Sequence, residues 1–208
     1  MRIFKILMFV SLALPVFASS VISFSIEPAW AFPDSYIHVK EKKGYWAIAG
    51  EYGWFLNEHL ILGPNINFGW HIEKKRTPLD NNTNWVHRKE RIIMIPISLF
   101  TVVDPIPQYM IHPVFHAQVG YNSVFISNVD YDKNLPQDDK SDIKKRDGYY
   151  NGIIGKFSFE CMFDIGKSIS LFAGPQWQIS TITRRGKDPT IDSKFNGFGF
   201  RLGVSALL

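Results

Sequence analysis

The chain has one cysteine, Cys161, in 208 residues. It forms no internal disulfide, which excludes a small secreted fold held together by cross-links. No stretch approaches the ~20 consecutive apolar residues of a spanning helix. A membrane reading must therefore rest on strands. Charge is ample overall, with 23 basic and 19 acidic residues and a net +4. Yet it is almost missing from eight segments, 22–32, 45–56, 60–71, 92–101, 109–122, 150–163, 168–180 and 195–206, in which every second residue is apolar. Their only charged residues are Glu27, Glu51, Lys156, Glu160 and Arg201, all on the less apolar parity.

A soluble sheet with one wet face would fill that face with Lys, Glu, Asp and Thr. Here the polar parity carries Gly, Ser, Ala, Asn and Gln. In the first segment Ile22, Phe24, Ile26, Pro28, Trp30 and Phe32 oppose Ser23, Ser25, Glu27, Ala29 and Ala31. In the third, Leu60, Leu62, Pro64, Ile66, Phe68 and Trp70 oppose Ile61, Gly63, Asn65, Asn67, Gly69 and His71. The seventh repeats the pattern, and only the fourth is apolar on both sides, around 92–97. Strict alternation argues strands rather than helices. Apolar outward and polar toward a narrow interior is the dyad pattern of a transmembrane barrel. The segments are long enough to cross a bilayer tilted, which takes ~9–11 residues. The expected fold is all-β: an eight-stranded antiparallel up-and-down transmembrane β-barrel.

The start of the chain fits an exported precursor. Arg2 and Lys5 precede an apolar run from Ile6 to Phe17, and Ala18, Ser19 and Ser20 supply small residues for cleavage. Residues 1–18 read as a signal peptide and 19–208 as the barrel domain. The connections alternate in length: 57–59, 104–108 and 165–167 are short, whereas 33–44, 72–91, 123–148 and 181–194 are long and hold most of the charge. Tight periplasmic turns and long outer loops are what such barrels show. Eight strands enclose an interior just filled by side chains, so a wide aqueous pore is not expected.

Trp30, Trp46, Trp54, Trp70 and Trp177 all lie on the apolar parity, near strand ends, as an aromatic girdle at the lipid interface would; Trp85 falls in a loop. Prolines break the rules, because Pro28, Pro64, Pro96, Pro113 and Pro175 sit inside strands, where each removes a ladder donor. Four of them, Pro28, Pro64, Pro113 and Pro175, each after an inward residue, recur once per hairpin, which predicts a built-in bulge or bend.

The inward charges Glu27, Glu51, Lys156, Glu160 and Arg201 are expected to pair, since an unpaired buried charge is costly. Lys156 and Glu160 are four residues apart, roughly 13 Å by strand rise, so their partners must come from other strands. His71, His112, His116 and Gln118 share the inward parity. Ser170, His116 and Glu160 could be assembled into a nucleophile–base–acid set, but no spacing singles them out. Neither catalytic residues, a cofactor nor a metal site is assigned. The basic runs Glu73-Lys74-Lys75-Arg76 and Arg88-Lys89-Glu90-Arg91 make the second outer loop cationic, suited to anionic lipopolysaccharide or surface polymers. The tract 130–147, with six Asp, four Lys and one Arg, lacks the spaced acidic loop of a calcium site.

With these residues in view, the chain resembles the small outer-membrane β-barrel proteins, the class of the OmpA membrane domain, OmpX, OmpW and the opacity-type proteins. More narrowly it resembles the outer-membrane β-barrel domain family of porin-like proteins. The shared hairpin is matched by Ile95-Pro96-Ile97, Asp104-Pro105 and His112-Pro113-Val114-Phe115, and the late Gly-Pro by Ala173-Gly174-Pro175-Gln176. The resemblance spans about 19–208 and carries no catalytic residue. It implies a monomer in outer-membrane lipid, inserted by the assembly machinery, without nucleic acid and not an enzyme. Three function classes follow: a structural or surface-interaction barrel with a plugged polar lumen, a small channel for ions or solutes, and a secreted ligand-binding barrel. The third needs the apolar face inside.

Overall fold

The alternating segments form nine strands in the computed structural model, which describes residues 19–31, 43–78, 85–130, 147–184 and 192–208. Residues 1–18, expected to be a signal peptide, and most of the long connections, including 131–146 of the mixed-charge tract, lie outside the described residues. The strands are β1 Ser20–Ala31, β2 Lys43–Asn57, β3 Leu60–Pro78, β4 Trp85–Val103, β5 Ile111–Asp130, β6 Gly148–Ile165, β7 Ile169–Arg184, β8 Asp192–Lys194 and β9 Gly197–Leu207. From β1 to β7 each pairs antiparallel with the next in sequence. β9 lies between β7 and β1 and closes the sheet. Lys194 faces Thr181 and Gly197 faces Gln178, so β8 and β9 are one stave interrupted at Phe195 and Asn196. The result is an eight-stranded antiparallel up-and-down barrel. Closure leaves no edge, which lets every ladder group be satisfied inside a bilayer.

The two parities separate as the alternation requires. Ile66, Ile97 and Ile179 are 58%, 60% and 67% exposed on the outside, whereas Glu27 and Arg201 inside are 1% exposed. Phe24, Leu99, Val119, Ile153, Phe157 and Leu202 join the exposed apolar belt. In water such a surface would drive aggregation; against hydrocarbon it is the stable arrangement. The outward Trp177 stacks on Phe157 at 5.1 Å and meets Phe198 edge-on at 5.3 Å. Trp46 pairs with Trp70 across β2 and β3, and Trp30 with Phe198 across β1 and β9. Four of the five tryptophans thus form one row toward the long-connection end. Trp54 packs against Tyr52 at the other end.

Several boundaries differ from the alternation reading. β3 and β4 run on together, from Ile72 opposite Arg91 to Pro78 opposite Trp85. The second loop is therefore mostly a paired hairpin: its basic runs face one another from Glu73 opposite Glu90 to Arg76 opposite His87, and Trp85 opens a strand. β5 likewise continues to Asp130. In β3 and β4 the ladder runs on past the alternating apolar residues through 73–76 and 87–91, where the sequence turns basic and the period of two is lost. At the other end, Tyr109 and Met110 belong to the turn before β5.

The prolines do not create the expected bulges. Register is unshifted across each: Ile26 faces Leu202 and Ala29 faces Gly199 around Pro28, and Glu51 faces Asn65 and Trp54 faces Leu62 around Pro64. Pro96 and Pro175 behave in the same way. At each of these four, two pairs drop out of one ladder while the other ladder stays continuous. Pro113 lies beyond the end of the β4–β5 ladder, where its missing N–H costs no strand bond. Glycine explains the close approach beside two of them. A Cβ on Gly63 would sit 1.9 Å from the Tyr52 carbonyl oxygen, and one on Gly174 would sit 2.0 Å from that of Phe159.

The interior is layered. Toward the short-turn end Phe100, Val102 and Val114 pack with Ile61 and Met162. Toward the long-connection end Tyr45, Ile92, Met94, Val124, Ile126, Tyr150, Ile182 and Phe195 form a second apolar cluster with Ala29. The layer between them holds the charged cluster, and single polar residues such as Glu90 and His112 lie buried toward the two ends. Inward apolar residues thus flank the expected polar layer on both sides.

Candidate functional site: the ion network of the lumen

Four strands deliver the five inward charges to one layer. β1 brings Glu27, β2 Glu51, β6 Lys156 and Glu160, and β9 Arg201. The Arg201 guanidinium is the hub. Its Nη1 donates to Glu160 Oε1 at 2.9 Å, and its Nε lies 3.4 Å from Glu27 Oε1. Nη2 lies 2.6 Å from Glu51 Oε2, off the line a hydrogen bond requires; the distance makes this a close coulombic contact rather than a hydrogen bond. The Phe172 ring covers the guanidinium carbon at 4.6 Å, a cation–π contact in a dry site. Lys156 Nζ donates to Glu27 Oε2 at 2.7 Å. Lys156 and Glu160, which share a strand face, thus find partners on other strands.

Alternation marks the neutral groups that complete this layer as inward, Gln118 beside the histidines, but assigns them no partners. Asn67 Nδ2 donates to Glu27 Oε2 at 2.9 Å, and Gln176 Nε2 donates to the same oxygen at 3.3 Å. Asn65 Nδ2 and Gln118 Nε2 donate to Glu51 Oε1 at 3.0 and 3.1 Å. Ser25 bonds Glu27 Oε1, and Ser158 bonds Glu160 Oε1. Their signal was present: each has inward parity and is an amide or hydroxyl where a wet face would carry charge. Each carboxylate so gains neutral donors beside its cation, which is how a buried ion cluster offsets its desolvation. His116 Nε2 stands 2.9 Å from Glu51 Oε1, with its ring stacked on Phe100.

The hydrolytic set does not assemble. Ser170 Oγ donates to Asp164 at 2.6 Å, and His116 faces Glu51. His112 is at the short-turn end beside Asp104, away from the ion layer. Burial pushes the Asp104 carboxyl above the ordinary carboxylate range, and the like charge of Asp164 adds to the rise against the opposing pull of His112. Below the ion layer a cavity of about 210 Å³ opens between the short turns, walled by Phe100, Val102, Val114 and Phe172 and floored by Glu51, Glu160 and Arg201.

Solved structures share this architecture. Neisserial surface protein A aligns over 92% of this chain and 98% of its own, at 12% identity and a TM-score of 0.50. The chain has the fold of a small outer-membrane β-barrel. The attachment invasion locus protein Ail of Yersinia pestis covers 91% of this chain and 98% of its own at 10% identity, with a TM-score of 0.48. The outer membrane protein OprG of Pseudomonas aeruginosa covers 91% and 95% at 10% identity and 0.48. No family model and no curated protein matches the sequence. At 12% identity the likeness to Neisserial surface protein A speaks for the fold alone; the role of the lumen rests on this chain's own residues.

Proposed function

We propose that this chain is an integral outer-membrane barrel whose lumen is sealed, so that it acts as a rigid surface-exposed anchor rather than a channel. The observation that carries this is the packing inside one narrow barrel, where an apolar cluster lies over a cross-linked ion layer at which the short-turn cavity ends. An apolar cluster at each end flanks a cross-linked layer of three carboxylates and two cations, in which Glu27, Glu51, Glu160, Lys156 and Arg201 are at most 5% exposed. An ion entering from the long-connection end meets the apolar cluster of Tyr150, Ile182 and Phe195 above the ion layer. Desolvating it there without a partner is prohibitive. The exposed apolar belt supports residence in lipid, and the fold supports the outer membrane. Outer-membrane lipid is then its immediate partner, with lipopolysaccharide a candidate for the basic β3–β4 hairpin.

The decisive experiment is conductance of the refolded protein in a planar bilayer. A sealed barrel gives a current indistinguishable from the empty bilayer. Discrete single-channel steps from a homogeneous refolded preparation would overturn the anchor reading and establish the channel.

A further inference from the structure

The extended β3–β4 hairpin sorts its charges by parity, even though the apolar period has ended there. Residues that face one another in an antiparallel ladder share one side of the sheet, so each row across β3, β4 and β5 belongs to one side. The row Ile72–Arg91–Ser127 continues the lipid-facing side, and all three residues are exposed. Next on that parity comes Lys74–Lys89–Val129, and then Arg76–His87. These rows hold four cations, a histidine and no acid. The rows between them, Glu73–Glu90–Asn128 and Lys75–Arg88–Asp130, hold three acids against two cations. One parity is close to balanced, and the lipid-facing one is purely cationic.

The cationic parity begins where an aromatic row ends. Trp46 faces Trp70, Trp70 faces Ile93, and Ile93 faces Phe125. Arg91 stands one row further out, roughly 7 Å along the strand. Tryptophans settle at headgroup level, so cations just beyond them meet headgroup phosphates. An independent feature lies directly beneath. An open groove of about 460 Å³ runs down the barrel wall between Ile48, Phe68, Trp70, Ile72 and Ile93, with Arg91 at its outer end. The neighbours of Arg91 in its row, Ile72 and Ser127, offer it no carboxylate.

An acyl chain alone would lie equally well anywhere on the apolar belt. A chain that ends in a phosphorylated headgroup is held at this place, its methylenes in the groove and its phosphate at Arg91, whose guanidinium can donate two hydrogen bonds to it. We propose that the groove and the lipid-facing parity of the hairpin together bind lipopolysaccharide through its phosphorylated lipid A moiety. This rests on the outer-membrane reading above, with the long connections outward, and names the headgroup chemistry and the positions that hold it. Two adjacent cationic rows match the two phosphates of lipid A better than the single phosphate of a glycerophospholipid.

The test uses the refolded full chain in zwitterionic micelles, with bisphosphorylated lipid A, its dephosphorylated form and phosphatidylglycerol as probes. Calorimetry reads affinity, and amide NMR reads location. Saturable binding of lipid A is expected, weakened by salt, with shifts gathered at Ile72, Arg91 and Ile93. The other two lipids should bind at least about tenfold more weakly. Combining Arg91→Gln with Lys89→Gln should lower lipid A affinity about tenfold or more, at roughly fivefold per cation beside an anionic surface. Combining Lys75→Gln with Arg88→Gln removes the same charge from the other parity and should change affinity less than about twofold. Heat-modified gel mobility checks that each variant is folded. Equal losses in the two double variants would overturn the site, because they are the mark of a diffuse field. So would equal binding of the three lipids, shifts spread around the barrel, or no saturable binding to folded wild type. Conductance remains a separate readout: a sealed barrel that ignores lipid A refutes this site and leaves the anchor, whereas a conducting barrel that binds it refutes the anchor alone.

Discussion

Replacing Arg201 with alanine probes the lumen at its most connected point. The guanidinium contacts Glu51, Glu160 and Glu27 at 2.6, 2.9 and 3.4 Å, with all four residues at most 4% exposed. Removing it leaves Glu51 with His116 and neutral donors, and Glu160 with Ser158. Breaking one buried pair by deleting a partner typically costs ~3–5 kcal/mol. Two carboxylates lose their main cation here, so Arg201→Ala is expected at or above the top of that range. Lys156→Ala strips only Glu27, which keeps Arg201 nearby, and should fall lower. Urea titration of folded protein in micelles, followed by the gel shift of heat-treated samples, reads both. Adding Glu160→Gln to Arg201→Ala should recover part of the loss, because it removes a stranded charge. If Arg201→Ala loses less than ~1 kcal/mol, the reasoning fails: such a value belongs to a solvated surface pair.

The lipid face gives a second expectation: Ile66→Arg, in the exposed belt, should cost roughly 2–4 kcal/mol near the midplane by the same titration. Asn67→Ser on the other face is not innocuous either, since its amide bonds Glu27; a loss of about 1–3 kcal/mol is expected. Gly63→Ala should impair refolding, because its Cβ would meet the Tyr52 carbonyl oxygen at 1.9 Å, whereas Gly155→Ala, with its nearest neighbour at 3.9 Å, should be tolerated. Carbon NMR should show Asp104 titrating above the ordinary carboxylate range, and Asp164→Asn should bring it down. The sign follows from burial favouring the protonated form: this group's contribution to stability is greatest at low pH. It declines as pH rises from the unfolded to the folded value.

Architecture was legible because lipid imposes a period of two that survives every local irregularity. The eight crossings, their faces and the inward set Glu27, Glu51, Lys156, Glu160 and Arg201 could all be read from alternation. What could not be read has physical reasons. Strand ends beyond the bilayer, as in β3 and β4 past Ile72 and Arg91, have no apolar face to mark them, so pairing continues unseen. The prolines suggested a bulge or bend because a lost donor disturbs a ladder, yet neighbouring strands hold the register, and two pairs are lost at each of Pro28, Pro64, Pro96 and Pro175. The apolar clusters inside the lumen, with Ile92, Val124 and Ile182, were masked because alternation reports which residues face alike, not what layer each reaches. Asn65, Asn67 and Gln118 became network members through barrel stagger, which brings distant inward positions to one height.

Face assignment is the claim on which the rest depends, and a spin-label scan of residues 45–54 in bilayers tests it most directly. Labels at positions 46, 48, 50 and 52 should be relaxed by oxygen dissolved in the hydrocarbon and not by a water-soluble nickel reagent. Labels at 47, 49, 51 and 53 should be protected from both, as the packed lumen requires. Nickel access at the even positions, or alternation of the opposite phase, would contradict a lipid-facing apolar belt around a sealed polar layer.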